Sequence, residues 1–213
     1  MGFHINLEEQ KLWNDPAIWE NKNDLKYWST NFSSPDQLWM DLIYPLYVPH
    51  LGNRNLEIVP GSGRITEFFL NHCPSLSLVE YNSVPLKFCL DRFGDRIHGY
   101  HVNDGKSLTC FESSSFDAIV SFDSFVHIHW DIIRDYLPEI HRVLNIGGKA
   151  TLHHAWFGGG EDLSFKNKGG RANLDHEELN KELYRLGFEI IQQVQCSPSP
   201  LTTDLVTTFQ KIN

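Results

Sequence analysis

Cysteine is scarce in this chain: Cys73, Cys89, Cys110 and Cys196 are the four among 213 residues, and none stands in a CxxC pair or at zinc-finger spacing. That excludes a disulfide-built scaffold and a cysteine zinc module, and it suits free thiols in a reducing compartment. Basic residues are also few. Lys and Arg number 18 against 27 Asp and Glu, a formal net charge of −9, so no broad cationic face is at hand to clamp DNA or a large RNA. No stretch approaches the roughly 18 consecutive apolar residues of a membrane span. The start, Met1-Gly2-Phe3-His4-Ile5-Asn6, has neither the basic stretch nor the apolar run of a secretory leader. Gly2 matches the opening of a myristoylation signal, but no second anchor stands beside it. Internal repeats and low-complexity tracts are missing as well. These absences predict a cytoplasmic protein that neither inserts into membranes nor binds DNA, and they assign no oligomeric state.

What is present is an ordinary globular composition, 41% hydrophobic and 21% charged, in a length that holds one domain with a large core and no second one. Residues 1–50 concentrate aromatic side chains, among them Trp13, Trp19, Tyr27, Trp28, Phe32, Trp39, Tyr44 and Tyr47. They read as a helical cap, with Ser33-Ser34-Pro35-Asp36 opening a helix near Pro35. Beyond residue 51 the pattern changes to short apolar runs alternating with helical segments. Strands are expected at Asn55–Val59, Ser77–Glu80, Ile97–Val102, Phe116–Phe122 and Lys149–His154, and finally at Phe188–Cys196 and Leu205–Lys211. Helices are expected from Arg64 to His72, Val84 to Phe93, Trp130 to Val143 and Asp175 to Leu186. Asn145-Ile146-Gly147-Gly148 reads as the stop of the third helix and Gly187 as that of the fourth. Trp156–Arg171, with two glycine clusters, reads as a loop beside the site. The whole predicts an α/β fold over residues 51–213: a doubly wound, mostly parallel seven-stranded sheet with helices on both faces under the N-terminal cap.

Chemistry enters where the first strand runs into Pro60-Gly61-Ser62-Gly63-Arg64. Glycines let backbone approach a ligand closely, and the following helix start presents unpaired N–H groups to an anionic group. Alone, such a turn is as well explained by tight chain reversal. The next strand ends in Glu80, 17 residues beyond Gly63, where a carboxylate can accept hydrogen bonds from both hydroxyls of a ribose. Together they point to an adenosine-containing ligand across the carboxyl ends of the strands. A dehydrogenase GxGxxG cradle would place its third glycine at Thr66, so the pattern disfavours NAD.

Glu57 through Gly63 resembles the first motif of the class I S-adenosylmethionine-dependent methyltransferases, an acid followed by roughly GxGxG, with Val59 in place of the first glycine. Asn103-Asp104-Gly105 stands where that family commonly sets a polar residue against the adenine edge. Phe116 to Ser124 is similar to the family's fourth-strand motif, and Glu139 to Gly148 to its closing helix and turn. Over residues 54–155, four motifs occur in the family's order. The resemblance implies a Rossmann-like fold and S-adenosylmethionine as methyl donor, leaving as S-adenosylhomocysteine. It implies donor contacts from Glu57, Val59, Pro60, Gly61, Gly63 and Arg64, from Glu80 and Tyr81, and from Asn103, Asp104 and Gly105. Phe122, Asp123 and Ser124 would line the donor methionine and the acceptor. Trp28, Gln37 and Trp39 are candidates to cover the pocket or help hold the donor carboxylate, core packing being the alternative for the rings.

Methyl transfer from a sulfonium is an in-line displacement, so the protein must align the partners, exclude water and, for an alcohol, supply a base. Histidine suits that role near neutral pH. His127, just past the fourth-strand motif, is the first candidate and His154, at the end of strand 5, the second; of His153 and His154 only one can face the pocket, because neighbours on a strand point opposite ways. His127, His129, His153, His154 and Asp123 lack a specific metal-ligand pattern, and no metal is assigned. The expected activity is methylation of a small-molecule or sugar-like acceptor at oxygen. N-methylation and a catalytically silent donor-binding module are the alternatives.

Overall fold

The computed structural model describes residues 32–156, 171–172, 174–196 and 204–213. Trp13, Trp19, Tyr27 and Trp28, and the loop from Phe157 to Gly170, lie outside these residues.

The chain enters with helix α1 (Pro35–Leu38), whose start is the one expected: Ser34 Oγ accepts the Gln37 N–H at 3.1 Å and Pro35 occupies the first turn. The helical path widens into a π-turn at Trp39–Ile43, where the Tyr44 N–H reaches back to the Trp39 carbonyl, then tightens through α2 (Tyr44–Tyr47) and a 3₁₀ turn at Val48–His50. Pro45 has no N–H to give to an ordinary helical turn, which fits the change of pitch here.

Seven strands follow: β1 (Arg54–Ile58), β2 (Ser75–Glu80), β3 (Gly99–Val102), β4 (Phe116–Ser121), β5 (Leu144–Ala155), β6 (Phe188–Cys196) and β7 (Asp204–Lys211). They form one sheet in the order β3-β2-β1-β4-β5-β7-β6, parallel throughout except for β7, which runs antiparallel to both neighbours. Alternation along the strands divides the core. Leu56, Ile58, Val79 and Ile119 face α5 (Trp130–Val143) and α6 (His176–Arg185). Leu76, Leu78, Val120 and Phe122 face α1, α2, α3 (Thr66–Leu70) and α4 (Ser83–Phe93). Helices therefore cover both faces, and the strand order reverses between β1 and β4, whose carboxyl ends form the ligand-binding edge of such sheets.

One expectation fails. Asn145–Gly148 does not stop α5: Leu144 is already extended (φ −73°, ψ 141°) and the four residues lie within β5. Between the pairs Phe116↔Leu144 and Ala118↔Lys149, two steps on β4 face five on β5. The left-handed Gly147 (φ +79°) lets that extra length bulge out of the sheet. Gly187 (φ +86°) does close α6, as its position predicted.

Candidate active site

The turn after β1 is built from left-handed residues. Gly61 (φ +58°) and Gly63 (φ +83°) take that conformation freely, but so does Val59 (φ +55°), where the β-branched side chain makes it costly. The reason for a glycine at this point of the motif is thus visible in the one residue that departs from it. Val59 is over-determined by its neighbours: its N–H donates to the Val79 carbonyl at 2.8 Å and its carbonyl accepts from Ser124 Oγ at 2.7 Å. Ser121 Oγ similarly holds the Ile58 carbonyl at 2.7 Å. From the other side, α4 reaches the turn carbonyls through Cys89 Sγ–H to Gly61 (3.2 Å) and Arg92 Nη1 to Gly63 (3.3 Å), while the Gly63 N–H closes onto Pro60. Ser121, Cys89 and Arg92 were missed by sequence reasoning, because contacts across 28 to 63 positions leave no local spacing signal.

Two carboxylates stand at this edge, both buried. Burial raises Glu80 to about 7, against backbone N–H bonds from Asn82, Gly61 and Tyr81 that favour its charged form. Glu57, raised to about 8 chiefly by burial and further by Glu80, keeps Oε2 with no hydrogen-bond partner among the described residues. A donor rich in hydroxyl and ammonium hydrogens answers both needs, so the residues present fit S-adenosylmethionine.

Beyond β3, the Asn103 amide binds the Ser107 carbonyl and the Tyr136 hydroxyl, and its oxygen accepts from the left-handed Gly105. Asp104 Oδ1 accepts from Lys106 and Ser107, bonds that hold its carboxyl below the usual range against the opposing effect of desolvation. This loop is closed on itself at the edge where adenine would lie, with the Tyr81 Cβ 3.4 Å and its ring Cγ 3.8 Å from the position of a Cβ at Gly105.

Of the candidates for the pocket's cover, Trp39 is a core residue, 3% exposed, stacked on Phe68 at 5.0 Å with Phe69 and His72 around it, and exposed Gln37 binds Ser33 across the helix start.

The end of β4 carries the polar chemistry. Asp123 is left-handed (φ +59°), and its N–H donates to His153 Nδ1 at 3.1 Å. That places the imidazole proton on Nε2, which points at Asp204 Oδ2, 3.3 Å away, while the ring stacks on Phe122 at 4.7 Å. His153, rather than His154, is therefore the strand-5 histidine beside the site. His154 lies on the opposite face with Nε2 against Thr207 Oγ1 (2.8 Å) and Nδ1 against the Ala155 carbonyl (2.9 Å), and burial lowers it to about 4. Its ring has no nitrogen left for an acceptor. His127 ends a 3₁₀ turn, Phe125–His127, and is partly exposed. Among the described residues no group of three or more His, Cys, Asp or Glu side chains is arranged to hold a metal ion, no helix is long and apolar enough to cross a membrane, and the four cysteines are unpaired.

Comparison with known proteins gives this geometry its class. Residues 56–152 match the family model described as a methyltransferase domain. No curated protein matches the sequence. Among solved structures, the chain is similar to an S-adenosylmethionine-dependent methyltransferase from Methanosarcina mazei (20% identity, 79% of this chain and 98% of that one, TM-score 0.62). It is also similar to the Burkholderia thailandensis 1,6-didemethyltoxoflavin-N1-methyltransferase with bound 1,6-didemethyltoxoflavin and S-adenosylhomocysteine (18%, 97% and 86%, 0.62), and to the N-methyltransferase NodS from Bradyrhizobium japonicum (17%, 91% and 99%, 0.62). At these identities the structures establish the fold, which is that of the class I S-adenosylmethionine-dependent methyltransferases. The domain match marks residues 56–152 of the chain as a methyltransferase domain.

Proposed function

We propose that this methyltransferase acts in the cytoplasm on a hydroxyl of a small-molecule or sugar-like acceptor, with His127 as general base. The observation that carries the reading is the contrast among the histidines at the carboxyl edge. His153 and His154 are fully enclosed, whereas His127 is partly exposed directly after the β4 motif.

S-adenosylmethionine bound at the turn supplies an electrophilic methyl carbon on a sulfonium. Glu80 would accept hydrogen bonds from the ribose hydroxyls, the left-handed Gly61-Ser62-Gly63 turn would let the backbone approach the donor carboxylate closely, and Glu57 would receive the ammonium. The Asn103-Asp104-Gly105 loop would flank the adenine. His127 would take the proton of the acceptor's hydroxyl, a service worth about 10²- to 10⁴-fold in rate. The acidic overall charge supports a small acceptor over a nucleic acid.

A second reading, N-methylation, is favoured by two fold neighbours that are N-methyltransferases. One experiment separates them. His127→Ala is assayed with labelled donor against panels of hydroxylated and amine acceptors, after calorimetry has established that S-adenosylhomocysteine still binds. Loss of turnover on alcohols, with the low-pH limb of kcat/KM removed, supports the base; undiminished turnover overturns it, and turnover confined to amines establishes the second reading.

A further inference from the structure

One stripe of α5 is given over to the chain that joins β3 to β4. Asp135, Tyr136, Glu139 and Arg142 recur at helical spacing, so they share a face, and each meets a residue between 103 and 111. The Tyr136 hydroxyl accepts from Asn103 Nδ2 at 3.0 Å, and Glu139 Oε2 accepts the Leu108 N–H at 3.0 Å. Arg142 gives Nη1 to the Phe111 carbonyl and Nη2 to the Leu108 carbonyl, each at 2.9 Å, while its Nε and Nη2 hold the two Glu139 oxygens at 2.8 Å. At the exposed rim, Lys106 Nζ lies 3.8 Å from Asp135 Oδ2.

These bonds fix how the Asn103-Asp104-Gly105 turn is presented. Asn103 spends its side chain inside the protein: Nδ2 also gives to the Ser107 carbonyl at 2.7 Å, and Oδ1 accepts the Gly105 N–H at 3.1 Å. Its own N–H donates to the Glu80 carbonyl at 3.1 Å, which ties the turn to the end of β2. Tyr136 is fully buried and packed on Phe125 at 5.6 Å, so its hydroxyl acts on a ligand through Asn103. Building on the donor-site reading, we infer that Tyr136 and Arg142 are positioning residues through which α5 holds this loop in the one shape that reads the donor's base as adenine. Adenine offers an amino group beside an acceptor nitrogen, and hypoxanthine reverses both, offering an oxygen beside an N–H. A loop held in place rejects the reversed pattern because polar groups are then left unpaired, and a loosened loop adapts to either.

The test is the ratio of affinities for S-adenosylhomocysteine and S-inosylhomocysteine, measured by calorimetry on the full chain. The wild type is expected to prefer the adenine ligand by about tenfold or more. Tyr136→Phe keeps the ring packed, and Arg142→Lys keeps the charge but not the fork; each is expected to cut the preference by about threefold or more. Asn103→Ala lowers it at least as far, and adding Tyr136→Phe to that variant changes the ratio no further, since Tyr136 acts through Asn103. Arg134→Met, on the outer face of the same helix where Arg134 meets Asp131 in solvent, leaves the ratio as it is. A purely structural role would weaken both ligands together. A ratio unchanged in folded Tyr136→Phe, or losses that add in the double variant, therefore overturns the inference, and Tyr136→Phe alone decides should Arg142→Lys not fold. A wild type that binds the two ligands alike overturns it as well, whereas one that binds neither overturns the donor site itself.

Discussion

A methyl group added at Gly63 would lie 2.5 Å from the Phe93 ring and 3.1 Å from Cys89 Sγ, on a backbone at φ +83°. One added at Gly105, equally left-handed at φ +81°, would meet Tyr81 at an ordinary 3.4 Å. The two substitutions therefore separate steric from conformational cost. Gly105→Ala is expected to lose about 1–2 kcal/mol from the backbone alone, and Gly63→Ala about 2–4 kcal/mol because Phe93 and Cys89 must also move. Denaturant titration of both variants measures the difference. Equal losses would mean that Phe93 yields freely and that the approach of α4 does not shape the turn.

A buried bond helps fasten the helical entry to the sheet: Tyr47 Oη donates to the Ser121 carbonyl at 3.0 Å, at the end of β4 just before the site. Tyr47→Phe keeps the ring packed on Phe69 and Phe122 but leaves that acceptor short of a donor, an expected loss of about 1–2 kcal/mol. Thermal unfolding reads this as a fall of a few degrees, and no shift would show that apolar contact alone seats α2. At this scale much was legible. Trp130–Val143 and Phe188–Cys196 were expected at their observed limits, because amphipathic periodicity marks the helix and Gly187, closing the helix before it, marks the start of the strand. The start of β5 was not, since Asn-Ile-Gly-Gly suits a helix stop and a bulged strand equally, and only pairing with β4 decides between them. The site divides in the same way. The glycine turn, Glu80 and the β4 motif are short contiguous patterns tied to one another by spacing, whereas Arg171 and Asp204 reach Asp123 and His153 through the fold and have no sequence signature. Trp39 shows the complementary difficulty: an aromatic-rich stretch reads the same whether it covers a ligand or fills a core, and this ring is buried.

For the molecule as a whole, the buried carboxylates set how stability responds to pH. Histidines held below their ordinary value, His154 at about 4 foremost, favour the folded state as pH rises, and that gain is complete by about 6.5, where the unfolded residue has lost its proton. The carboxyls held low by partners, such as Glu139 and Glu182 beside their arginines and Asp204, contribute stability that is lost only toward acid pH. Glu80 and Glu57 act with the opposite sign. Raised to about 7 and about 8, they bind protons in the folded state that the unfolded chain has already released, so the stability they contribute is present at low pH and disappears as pH climbs through those values. Above pH 6.5 the histidine gain is nearly spent and the loss from Glu57 and Glu80 continues, so the melting temperature of the ligand-free protein should fall by on the order of 5 °C between pH 6.5 and 8.5, at about 2–4 °C per kcal/mol for a domain of this size. Glu57→Gln, which cannot ionise, should flatten most of the fall above pH 7.5. S-adenosylhomocysteine should reduce it too, because hydroxyls donated to Glu80 stabilise its charged form and release the proton on binding. A melting temperature that stays level from pH 6.5 to 8.5 in the ligand-free wild type would mean that both carboxylates are already ionised, with hydrogen-bond donors at the turn sufficient to offset their burial.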